Sequence, residues 1–119
     1  MWLFLPNCFL SIVAARDNPQ NLLVRARVAG HIQNIFPKAK VFEMEDADYK
    51  YRALISRNCV VKVFSKQVDS IRYDNFKDAV SESAFKLACM RVWGIMRGIQ
   101  HFGQIEVTGD MLPATKWQV

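Results

Sequence analysis

Two stretches of this chain alternate with a period of two, and that alternation constrains its fold more than any other feature. In residues 22–28, Leu22, Val24, Ala26 and Val28 share one parity, while Arg25 and Arg27, with Leu23, take the other. In residues 49–55, Tyr49, Tyr51, Ala53 and Ile55 share one parity, while Lys50 and Arg52 take the other. Successive side chains of a strand point to opposite faces. Each stretch therefore reads as a strand with an apolar face toward a core and a basic face away from it.

The remaining pattern fills in around these strands. Residues 2–5 and 9–15 are short apolar runs flanking Pro6-Asn7-Cys8, which reads as a bent strand or a tight hairpin. Arg16-Asp17-Asn18-Pro19-Gln20 is a turn. From Ala29 the spacing becomes helical, with Ile32, Ile35 and Phe36 on one side, until Pro37 ends it. Residues 41–45 read as another strand, with Phe42 and Met44 as the apolar pair and Glu43 on the basic face; an acidic turn follows. Ser56 or Asn58 is placed to cap a helix through about Ile71, with Val60, Phe64, Val68 and Ile71 as its buried stripe.

After Tyr73-Asp74-Asn75-Phe76-Lys77, read as a cap with an aromatic staple, a long helix is expected over residues 78–100. Its broad apolar stripe includes Leu87, Ile95 and Ile99, widened by Phe85, Cys89, Trp93 and Met96, and is expected to pack on the protein's own sheet. Met90, and with it Trp93, lies toward the other side as an exposed patch. Gly94 and Gly98, one turn apart, suggest close packing there. The expected fold is α+β: an antiparallel sheet of two hairpins with helices packed on one face, ferredoxin-like in its β-β-α-β-β-α-α order. Residues 1–102 form one domain, and residues 103–119 a tail with a short strand at 104–108.

Composition narrows function mainly by exclusion. The chain is 51% hydrophobic with a net charge of +5, which suits a folded domain and leaves nucleic acid, anionic lipid and acidic proteins open as partners. Its basic residues are dispersed, with no two adjacent. Three separated cysteines and two histidines assemble neither a disulfide framework nor a paired-ligand zinc site. The apolar opening lacks a basic leader, is interrupted by Pro6-Asn7, and is too short to span a bilayer, so a cytoplasmic protein without membrane partners is expected. No nucleophile elbow, phosphate-cradling glycine loop or zinc-protease motif is present. Catalytic, cofactor-binding and metal residues are therefore all assigned as none, and His31 and His101 read as structural.

Several stretches taken in order, Met1-Trp2-Leu3-Phe4, Phe9-Leu10-Ser11-Ile12-Val13, Leu22-Leu23-Val24-Arg25-Ala26-Arg27, Asp48-Tyr49-Lys50-Tyr51-Arg52, Tyr73-Asp74-Asn75-Phe76-Lys77 and Val92-Trp93, resemble a family of short bacterial and bacteriophage proteins with no established activity. The resemblance covers residues 1–100. It departs at Pro6-Asn7-Cys8, where the family tends to have a polar turn ending in glycine. What it implies is a phage or bacterial cytosolic origin, with no catalytic residue to carry over.

The functional expectation is a non-enzymatic module that binds a protein partner or itself, including as a homodimer. The candidate interaction residues are Arg25, Arg27, Lys50 and Arg52 on the sheet, and Met90 and Trp93 on the long helix. Nucleic-acid binding through the same cations is the alternative, weakened by aromatics that do not interleave with them, Tyr49 and Tyr51 being of the opposite parity. A small enzyme with a cleft near Tyr73, Asn75 and His31 is a third. The basic face reads equally as a plain solvated surface with Arg–Glu pairs, or as one covered by the long helix or a second subunit.

Overall fold

The computed structural model describes residues 1–102, so the expected tail at 103–119 and its strand at 104–108 lie outside the described residues. The chain divides into two units, Met1–Lys86 and Leu87–Val119.

The first unit is built on a five-stranded, wholly antiparallel sheet: β1 (Trp2–Leu5), β2 (Cys8–Ala14), β3 (Asn21–Ala26), β4 (Phe42–Glu43) and β5 (Tyr51–Ser56), in the order β1-β2-β3-β5-β4. The fold is thus α+β with an antiparallel sheet, but its strand order is not the ferredoxin-like one. The opening does not form one bent strand. It makes a hairpin in which Leu5 pairs with Cys8 across Pro6-Asn7, and the Asn7 carbonyl accepts a bond of 2.7 Å from Asn34 Nδ2. The first three strands therefore form a meander, and β5 inserts between β3 and β4.

One face of the sheet is closed by α1 (His31–Ile35) and α2 (Arg57–Asp69). Leu10, Ile12, Val24, Ala26, Ala53 and Ile55 are buried there with Ile32, Ile35, Phe36 and Val60. Gly30 begins α1 at φ 88°, in the left-handed region that a side chain rarely adopts. Ser56 caps α2, its hydroxyl accepting from Cys59 N at 3.2 Å. The stripe of α2 that meets the core is Val60, Val63 and Phe64. Val68 and Ile71 are exposed instead, and line a small cavity with Leu3, Leu5 and Tyr73.

The expected single long helix is interrupted. α3 (Phe76–Ala79) is capped by Asn75 and stops at Val80, which turns extended (φ −89°, ψ 118°) and buries its side chain. Glu82 then starts α4 (Ser83–Phe102) by accepting from Ala84 N at 3.0 Å and Phe85 N at 2.6 Å. Those two donors hold its carboxyl below the usual range.

The α4 stripe expected to be buried is so only in part: Phe85 and Cys89 are buried, whereas Leu87, Ile95, Met96 and Ile99 are exposed, and Met90 and Trp93 are exposed as expected. The close packing expected at Gly94 and Gly98 is not found either, since an added Cβ at each would meet nothing within 4 Å.

Candidate functional site

Antiparallel partners in register share a face, so the pairings define what the sheet presents opposite its helices. Trp2 pairs with Ser11, Ser11 with Arg25, Arg25 with Arg52, and Arg52 with Phe42. One row thus crosses all five strands, a distance of roughly 19 Å at the usual strand spacing. Its outer members, Trp2 (62% exposed) and Phe42 (44%), are aromatic, and its centre is two arginines. A parallel row, Val13–Leu23–Leu54, is aliphatic, and Phe4 stacks on Phe9 at 4.6 Å on the other side.

Tyr49 organises the arginines. Its ring lies 4.6 Å from the Arg25 guanidinium and 4.1 Å from that of Arg27, and its carbonyl accepts from Arg52 Nε at 3.0 Å. Burial to 3% exposure makes these cation–π contacts stronger than surface ones. The expected placement of Tyr49 opposite the cations is therefore corrected. The strand begins only at Tyr51, and the irregular chain before it does not carry strand parity back to Tyr49. Phe42 corrects the second-hairpin reading in the same way: its partner is Arg52, which puts Phe42 on the basic face and Glu43, partner of Tyr51, on the other.

Of the four sheet cations singled out in the sequence, three gather here. Arg27 is ion-paired with Asp48 at 3.1 Å. Arg25 donates to Ser11 Oγ at 2.7 Å, while its Nε is buried without a hydrogen-bond partner. Among the described residues neither Arg25 nor Arg52 has an acidic partner. Lys50 leaves the group: its ammonium sits 3.1 Å from Glu45 and 4.0 Å from Glu43. The Glu45 hydrogen bond and charge raise its pKa. Met90 and Trp93 are exposed on α4, three positions apart, with the Arg97 guanidinium 5.9 Å from the Trp93 ring.

Of the other groups capable of chemistry, His31 and Cys8 are packed into the fold. His31 is buried against Phe85, ring centroids 5.2 Å apart, and its Nδ1 accepts from Phe9 N at 3.1 Å. Burial lowers its pKa, partly opposed by the Glu82 carboxylate. Tyr73 packs edge-on against Phe76, and the cavity beside it has neither Asn75 nor His31 in its walls. Burial pushes the Cys8 thiol up to about 12, far from a reactive thiolate. Cys59 is exposed at the start of α2. No three metal-ligating side chains cluster, and no helix is long and apolar enough to cross a membrane, among the described residues.

The chain matches no family profile, no curated protein and no solved structure.

Proposed function

We propose that this is a non-enzymatic interaction module whose open sheet face binds an acidic surface of a partner protein. The observation that carries this reading is the row Trp2–Ser11–Arg25–Arg52–Phe42. Like charges directly opposite one another on a sheet are destabilising, and a buried donor without a partner costs about 1–3 kcal/mol. An arrangement with both features is poor architecture and good recognition: a carboxylate laid between Arg25 and Arg52 would satisfy both guanidiniums. Trp, Tyr and Arg are also the residues enriched where interfaces concentrate their binding energy. The neighbouring aliphatic row, Val13–Leu23–Leu54, supplies apolar contact area of the kind a protein partner uses. A symmetric dimer centred on this row would bring four guanidiniums together, so a partner of opposite charge fits it better than a second copy. The resemblance to short bacterial and phage proteins supports a cytoplasmic role in such a host.

Single-stranded nucleic acid is the second reading, favoured by one observation: the exposed rings of Trp2 and Phe42 bracket the arginines, as base stacking between phosphate contacts requires. Purified wild type and the double variant Arg25→Glu, Arg52→Glu, matched for thermal stability, are compared in two assays. Proteins retained by wild type and lost by the variant support the protein reading. A labelled single strand bound with an affinity falling steeply with salt, with no retained protein, replaces it by the nucleic-acid reading. Equal behaviour of the two proteins in both assays removes the sheet face from function.

A further inference from the structure

A second recognition feature lies at the edge of the sheet, apart from the arginine row. Strand β4 is only two residues long and covers β5 at Tyr51 and Arg52 alone. Past that point the outer edge of β5, at Leu54 and Ser56, pairs with no strand among the described residues. The hydrogen-bonding parity is fixed by Met44 N, which donates to the Lys50 carbonyl at 2.8 Å. In an antiparallel strand, alternate residues direct both backbone groups to the same side. Lys50, Arg52 and Leu54 therefore point theirs outward, and those of Leu54 emerge at the free edge.

That edge opens into a groove of about 690 Å³ between β5, the end of α1 and α2. Its floor is apolar, including Phe36, Ile55 and Val63, and its rim carries Lys38, Lys40 and Lys66, with no acidic side chain among the lining residues. None of the three lysines has an ion pair among the described residues. Natural sheet edges are commonly guarded by a charge on the edge strand itself. Here the exposed residues of the strand are the uncharged Leu54 and Ser56, and the charges stand across the groove.

We propose that this edge is a docking site for an extended acidic segment of a partner protein, which adds to β5 as a further strand. Strand addition takes its affinity from main-chain bonds and its specificity from pockets for alternate side chains. The Leu54 backbone supplies the former and the groove floor the latter. The lysine rim selects carboxylates and rejects a basic segment. The site does not depend on the arginine row, so each stands or falls alone.

The test is fluorescence anisotropy of the full chain with a labelled hexapeptide, Glu-Val-Glu-Val-Glu-Val. Saturable binding is expected, weakened about tenfold or more when valine is replaced by proline, which cannot donate main-chain bonds, and likewise when glutamate is replaced by lysine. Charge reversal at Lys38, Lys40 and Lys66 should also lose about tenfold, whereas Arg25→Glu with Arg52→Glu should change affinity by less than about threefold. Alkylation of the exposed Cys59, which lines the groove, blocks binding in the unmutated protein and guards against variants that misfold. The proposal is overturned by no binding up to about millimolar peptide, by equal affinity for the proline or lysine peptide, by binding indifferent to lysine reversal and Cys59 alkylation, or by binding lost only on reversing Arg25 and Arg52.

Discussion

On the face that meets α1 and α2, Val24 and Ala53 lie opposite each other with no exposed surface; one residue along the same two strands, Arg25 and Arg52 lie opposite each other with no acidic partner. The first pair is what stability favours, a dry contact between residues that fit. The second is what stability disfavours, held in place by the Ser11 hydroxyl and by Tyr49. A single pair of strands thus divides the work: one side keeps the sheet assembled, and the other keeps two guanidiniums apart from the acids that would neutralise them.

If that contrast holds, its two sides respond differently to mutation. The largest effect belongs to the covered face. Leu10→Ala, at a position with no exposure, should cost about 2–5 kcal/mol, and Leu54→Ala on the open face less than about 1 kcal/mol, read from denaturant midpoints. Comparable losses would erase the distinction between the faces. Tyr49→Leu keeps an apolar side chain but removes the ring beneath Arg25 and Arg27, for an expected loss of about 1–2 kcal/mol. A larger loss would place Tyr49 in the core instead of the site.

Arg52→Glu is the sharpest of the small effects. It converts a like-charge cross-strand pair into an opposite one, and should leave the protein as stable or more stable, by up to about 1 kcal/mol, while abolishing partner capture. Destabilisation by more than that would make the arginine pair structural. The smallest effect is a pH dependence at the edge of the covered side. Because burial lowers the His31 pKa below the unfolded value near 6.5, the unfolded chain takes up a proton first. Stability is therefore full above that value and falls as pH drops from it through the lowered folded pKa. His31→Gln should flatten that part of a stability-against-pH curve, and an unchanged slope would assign it to other groups.

The same division decides how much of the molecule was legible in its sequence. Arg25 and Arg52 could be placed on one face from alternation alone, because both lie inside regular strands. Tyr49 could not, because the chain ahead of Tyr51 is irregular and its ring does not follow strand parity, and Lys50 could not, because the acids that draw it away, Glu43 and Glu45, are placed by the second hairpin. Phe42 was misread because two residues cannot establish an alternation. Trp2 joins the row only through the register of β1 on β2 and the strand order beyond it, neither of which leaves a local mark in the sequence. The α1 core face and the Ser56 cap were readable, since both depend on neighbours along the chain. The α4 stripe was legible only in part: Phe85 and Cys89 are buried as read, whereas Leu87, Ile95 and Ile99 are exposed, since apolar spacing records that a face is hydrophobic, not that something covers it.

The central claim is that the open row of the sheet contacts an acidic protein surface. It is met most directly by photo-crosslinking from p-benzoylphenylalanine placed at Phe42, with Val61 on exposed α2 as the control position. A discrete protease-sensitive adduct from position 42, absent from position 61 and lost when Arg25 and Arg52 are reversed to glutamate, is the predicted result. Adducts that form equally from both positions, survive the arginine reversals, or are removed by nuclease and not by protease would contradict it.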